Sequence, residues 1–226
     1  MKTFANLFIG AVFGFFIMYA FLALEFEVSM FDIAYELIWI LGSISLISLV
    51  LALVGMLQIK RKATSSLEGE EDDDRDQWQY KKFNDVSLVG NISMIFSLIT
   101  LSIVIVTKQE LFLTIFALIL VFITGASSFV SPYLLKVMYP ERDLPEASDK
   151  DYMKKLLASS DEGERHVMLE GLYYTFNSTN LLLVGAMIIL TVYSVSSEQS
   201  QLFAIFIIGL ILITINTQYI LQIRNK

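Results

Sequence analysis

The sequence predicts an all-α, polytopic membrane protein: six transmembrane helices as three antiparallel hairpins, with both termini cytoplasmic. Three observations carry this. Fifty-five percent of the 226 residues are apolar, and the mean hydropathy of +0.63 lies far from a soluble globular chain. Charge gathers in residues 60–85 and 136–170, with long uncharged runs elsewhere. Six of those runs are long enough to cross ~30 Å of hydrocarbon, which takes about 20 apolar residues as helix.

The first run, residues 4–24, exceeds the apolar region of a secretory signal, and no small-x-small site precedes Glu25. It is expected to be an uncleaved anchor. Gly10 and Gly14 make a G-x-x-x-G in it, while Ser45, Ser48, Ala52 and Gly55 line one face of the second run, 33–59. Small residues let backbones approach closely, so these two spans are expected to pack together; a homo-oligomer seam through Gly10 and Gly14 is the alternative. Glu36 is the one acid well inside a run, and it sits near the outer end. The remaining runs are 86–106, 111–130, 172–195 and 201–223. Loops 25–32, 107–110 and 196–200 are short, so consecutive spans pair as hairpins and nothing outside is large enough to be a domain.

Orientation follows from Lys and Arg, which concentrate on the cytoplasmic side. With the N-terminus inside, the inner segments hold every Lys and Arg except Lys108. Trp78, Tyr80, Tyr133, Tyr173 and Tyr219 then fall at inner interfaces and Tyr19, Tyr35, Trp39 and Tyr193 at outer ones.

Residues 60–85 are expected to form an acidic cytoplasmic linker. The run Glu68-Gly69-Glu70-Glu71-Asp72-Asp73-Asp74 fails the calcium-loop pattern because its glycine precedes the consecutive acids. A weak divalent-cation or partner-docking site is the alternative to a solvated linker. Lys and Arg with Trp78 and Tyr80 suit the inner headgroup layer, and neighbouring acids argue against nucleic acid as a partner.

Residues 131–171 are expected to be a cytoplasmic helical segment. It contains Pro132, Pro140, Pro145 and the only histidine, His166. Tyr139-Pro140-Glu141-Arg142 predicts a turn, since proline fixes φ and disfavours helix in the residue before it. Tyr152, Met153, Leu156 and Leu157 share one face of a short amphipathic helix over 149–160, with Asp151, Lys154 and Lys155 opposite. That helix could dock a partner, lie on the inner leaflet, or pack on this chain's own helix ends. Asp161 and Glu164 make a capping-box pattern. A helix starting there would run into the fifth span as one rod of roughly 50 Å, with Glu162, His166 and Glu170 on one face.

Inside the membrane the notable residues are amides. Asn91, Asn177, Asn180 and Asn216 all fall roughly 8–12 Å from the cytoplasmic ends of their spans, near the level of Thr124, Ser127 and Ser128. They form either an inward-facing polar pocket or interhelical hydrogen-bond glue. Asn177-Ser178-Thr179 matches a glycosylation sequon but falls within a span.

No catalytic motif is present. With no cysteine, one histidine, no H-E-x-x-H, no G-x-S-x-G and no P-loop, the chain offers no nucleophile, metal centre or ATP site. The expectation is a protein without catalytic residues, cofactor or metal.

The motifs Tyr139-Pro140-Glu141-Arg142 and Ser160-Asp161-Glu162-Gly163-Glu164-Arg165, set between a fourth and a fifth span, resemble a bacterial family of six-span membrane proteins known as a domain of unknown function. The resemblance covers nearly the whole chain and implies a bacterial cell-membrane setting and no established activity. The layout is also similar to six-span permeases of ABC exporters, in which residues 149–160 would be a coupling helix. The acidic segment after the second span departs from that pattern. The leading expectation is a non-catalytic membrane protein acting through a cytoplasmic partner in an accessory, regulatory or protective role. The alternative is a permease subunit or other small transporter with an inward-facing polar pocket.

Overall fold

The computed structural model describes residues 31–63, 70–128, 130–142, 144, 149–197 and 199–224. The expected first span, with Gly10 and Gly14, lies outside the described residues, as does Pro145. The described chain is all-α: α1 (Ala34–Ala63), α2 (Glu70–Val106), α3 (Leu111–Ser128), α4 (Val130–Met138), α5 (Tyr152–Ser159), α6 (Glu162–Ser196) and α7 (Leu202–Arg224). It divides into two units, one carrying α1 to α5 and the other α6 and α7.

In the first unit α1 and α2 form a long antiparallel pair in one register. Lys62 lies over Trp78, Gly55 faces Val86, Gly42 faces Thr100, and Ser45 and Ser93 exchange hydrogen bonds. The buried stripe of α1 runs Ala34, Ile38, Gly42, Ser45, Leu49, Ala52, Met56, Ile59, at the three- and four-residue steps that keep one helix face on its neighbour. A Cβ on Gly55 would come far inside van der Waals contact with Val86 Cγ2, so any larger residue forces Val86 or the helices to shift. Of the small-residue face, Ser45 and Gly55 meet α2; the expected packing against the first span lies outside the described residues.

Two helices cover the α1–α2 pair. α3 packs at the Thr107 end, where Ile38, Val104, Leu113 and Ala117 form a cluster. At the other end Leu134 and Met138 of α4 join Ala52, Met56, Ile59 and Val86. The fourth apolar run, expected over 111–130, is helical as α3 to Ser128 and again from Val130 in α4.

Within residues 60–85, expected as an acidic linker, α1 runs to Ala63 and α2 is helical from Glu70. α2 has 37 residues, about 55 Å at 1.5 Å per residue. Acids at its N-terminus and Lys60, Arg61 and Lys62 in the last turn of α1 both complement the helix dipoles. The Lys62–Trp78 contact carries the pairing beyond the apolar part.

The second unit is an antiparallel hairpin. α6 runs 35 residues from Glu162, directly after Asp161, as one rod of the expected length. Phe176 stacks on Tyr219 at 4.4 Å, and Ser194 Oγ accepts the Gln201 amide N–H at the turn. Val192 is the only buried residue of α6, and α7 has none. Leu181, Leu182, Leu202 and Phe203 are each at least 70% exposed. A surface of that kind is stable against hydrocarbon and unstable against water.

Candidate functional site

Of the expected asparagine layer, the hairpin joins two members. Asn216 Nδ2 donates to Asn180 Oδ1 at 2.7 Å and to the Leu212 carbonyl at 2.9 Å. Asn180 Nδ2 donates to the Phe176 carbonyl at 2.9 Å. Each amide N–H₂ thus serves its own preceding turn, and one oxygen ties the two helices together. A shallow groove of about 540 Å³ opens one turn away, lined by Phe176, Ile215, Gln218, Tyr219, Leu221 and Gln222. Neither asparagine lines it. Asn177 and Asn91 are exposed and make no hydrogen bond among the described residues.

In the first unit the buried polar groups are hydroxyls instead. Ser97 Oγ lies 3.0 Å from Thr124 Oγ1, and Thr124 donates back to the Leu120 carbonyl. Ser127 Oγ donates to the Thr124 carbonyl, and Thr100 to the Phe96 carbonyl. Ser48 is buried on α1; the side chain of Ser128 lies outside the described set. The Ser45–Ser93 and Ser97–Thr124 contacts cross between helices, while the rest satisfy their own turns. The two crossing contacts hold helices together. Sequence reasoning singled out Ser45 and Ser48 for their size and missed Ser93, Ser97 and Thr100, whose seven- and four-residue spacing on one face of α2 was the available signal.

The expected turn forms: Arg142 N–H donates to the Tyr139 carbonyl at 3.2 Å across Pro140 and Glu141. The Arg142 guanidinium carbon lies 4.7 Å from the Tyr139 ring centroid, and Tyr139 packs on the Ala52–Met138 cluster. α5 is the expected amphipathic helix. Tyr152, Leu156 and Leu157 are half-buried while Lys154 and Lys155 are exposed, and Lys155 pairs with Asp149 at 3.0 Å. The side chain of Met153 is outside the described set. Glu162, Arg165 and His166 are exposed and Glu164 is half-buried on the first turns of α6. No ion pair joins His166 to Glu162 or Glu170 among the described residues. No group of three or more His, Asp or Glu side chains with metal-binding geometry occurs among the described residues.

Sequence reasoning did not anticipate Gln79. It is 0% exposed on the α1-facing stripe of α2, and neither its Oε1 nor its Nε2 has a hydrogen-bond partner.

These features define an all-α protein in which, among the described residues, four helices are long and apolar enough to cross a membrane: α1, α2 from Asp74 onward, α6 and α7. Residues 3–223 match the family described as a protein of unknown function (DUF3169), and the chain belongs to that family. No curated protein and no solved structure matches the chain.

Proposed function

We propose that this is a six-span protein of the bacterial cell membrane, with both termini cytoplasmic, that carries out no catalysis and acts through a cytoplasmic protein partner. The observation that supports it is the polar continuation of its membrane helices. α2 begins about 16 residues before its apolar part and α6 about ten, so the charged segments stand as rigid rods with α5 between them in sequence. Rigid, charged helix ends and a short amphipathic helix between them in sequence suit docking of a folded partner. The tied asparagine pair of the hairpin supports packing glue over a ligand pocket.

The test is a crosslinked pull-down from native membranes through a C-terminal tag, repeated with Leu156→Glu plus Leu157→Glu. The expected result is one stoichiometric partner, lost in the variant while membrane insertion persists. Capture of self-contacts alone would refute the reading. A second reading, a permease subunit with α5 as coupling helix, is favoured by the half-buried face of α5 and would be identified by an ATPase as that partner.

A further inference from the structure

We propose that the exposed face of α2 binds a second copy of this chain, as a parallel pair in which the two Asn91 side chains hydrogen-bond each other. The proposal rests on the membrane reading, because insertion in one orientation is what makes two copies parallel. Within the α1–α2 pair the buried residues of both helices repeat every seven: Ser45, Ala52 and Ile59 on α1, and Gln79, Val86, Ser93 and Thr100 on α2. A strict seven-residue repeat goes with a supercoil that holds each helix face at a constant azimuth. The face of α2 turned away from α1 therefore carries aligned rows of its own. Asn84, Asn91, Leu98 and Ile105 form one row, and Leu88 and Ile95 stand beside it at steps of four and three. All six are exposed, the four aliphatic side chains by 44–60%.

The amides set this face apart from ordinary lipid-facing surface. Residues 86–106 carry no charge, and Asn91 lies five residues into that run, about 8 Å deep. An amide turned toward hydrocarbon with nothing to bond is costly. Elsewhere the chain meets that demand: Asn180 and Asn216 each donate to the preceding turn and share a bond between helices. Asn84 and Asn91 make no hydrogen bond among the described residues.

Hydrogen-bond complementarity selects a second copy as the occupant. A carboxamide is both donor and acceptor, so it complements itself, whereas an acyl chain offers neither. A copy inserted the same way brings its Asn91 to the same depth, and equivalent seam positions of a parallel pair face each other. From Asn84 to Ile105 the seam runs three heptads, about 32 Å, which is long enough for a two-stranded pairing. Leucine and isoleucine at its other positions supply the packing. Asn84, one heptad before Asn91 and just outside the apolar run, meets its own counterpart and fixes the register.

The chain has no cysteine, so single thiols report this interface directly. In native membranes, oxidation with copper phenanthroline should give a disulfide-linked dimer from Asn91→Cys and Leu98→Cys. It should give little from Ile99→Cys, which is also exposed but about 100° further round the helix. Full-length protein labelled with donor or acceptor dye at the C-terminus would then be diluted with lipid in phosphatidylcholine vesicles, and energy transfer between copies read. Asn91→Leu is expected to weaken pairing by roughly 3- to 30-fold, the range of one interhelical hydrogen bond. Asn91→Gln should keep most of the pairing, and Asn177→Leu, in the other unit, should leave it unchanged. If Asn91→Leu fails to insert, the contrast between Leu98→Cys and Ile99→Cys gives the same reading. Equal crosslinking at those two positions would overturn the proposal, as would unchanged pairing in Asn91→Leu or an equal loss in Asn177→Leu. Failure of the unmodified protein to enter vesicles would overturn the membrane reading as well; entry as monomers overturns the pairing alone.

Discussion

Gln79 and Gly55 show how far a single side chain can matter here. Gln79 is fully buried with a donor and an acceptor unused, and an unsatisfied buried polar group costs about 1–3 kcal/mol. Ser45 and Ser93, about four turns further along the pair, instead satisfy each other's carbonyls at 2.8 and 2.7 Å. Replacing Gln79 with Met keeps its shape and removes the polar burden, so Gln79→Met should stabilise the protein by about 1–3 kcal/mol in a thermal melt. A fall in stability would mean that the amide holds a group of its own, such as a water. Gly55→Ala should do the opposite. Its methyl would overlap Val86 Cγ2, and overpacking of this kind costs about 1–3 kcal/mol. Val86→Ala in the same chain should recover part of that loss, and a double-mutant cycle checks it.

At the level of elements, apolar runs gave away where helices lie but not where they stop. The turn at Tyr139–Arg142 and the start of α6 after Asp161 were legible because proline and cap residues act locally. The extension of α2 back to Glu70 was not, because Lys62 on Trp78 is a tertiary contact between residues that a linker reading separates. Asn180 and Asn216 were legible by depth, yet depth gives no azimuth, so Asn91 and Asn177 fell on exposed faces. The hairpin turn after α2 hides a different cost. Lys108 has φ 52°, while Gln109 N–H donates to the Val104 carbonyl and Lys108 N–H to that of Ile105. This is a Schellman C-cap, whose left-handed residue is usually glycine. A left-handed non-glycine residue costs roughly 1–2 kcal/mol, so Lys108→Gly should stabilise the protein by up to about 1 kcal/mol once its greater unfolded-state entropy is counted. Comparison of the two unfolding curves tests it; equal stability would mean that the Lys108 side chain compensates.

Across the whole molecule, the decisive question is whether α3 crosses the bilayer. α3 has 18 residues, about 27 Å of helix against a hydrocarbon core of ~30 Å. Two physical arguments favour a crossing. Residues 111–128 carry no charge, and Leu111, Phe112 and Phe122 are 67–81% exposed, a surface that needs lipid along its length. The bilayer can thin locally at a fraction of a kcal/mol per Å of mismatch, so a shortfall of about 3 Å is tolerable. The chain lacks cysteine, so single introduced thiols report topology without background. Lys108→Cys and Gln199→Cys should react with a membrane-impermeant maleimide in intact cells. Asp74→Cys, Glu141→Cys and Glu162→Cys should react only after permeabilisation. Glu141→Cys carries the decision, because only the nine-residue α4, too short to cross, lies between it and α3: labelling in intact cells alongside Lys108→Cys would mean that α3 does not cross. The antiparallel packing of α3 on α2 would then sit at the outer surface. Protection of Glu141→Cys with exposure of Lys108→Cys places the α1, α2 and α4 ends together on the cytoplasmic side, where the partner proposal requires them.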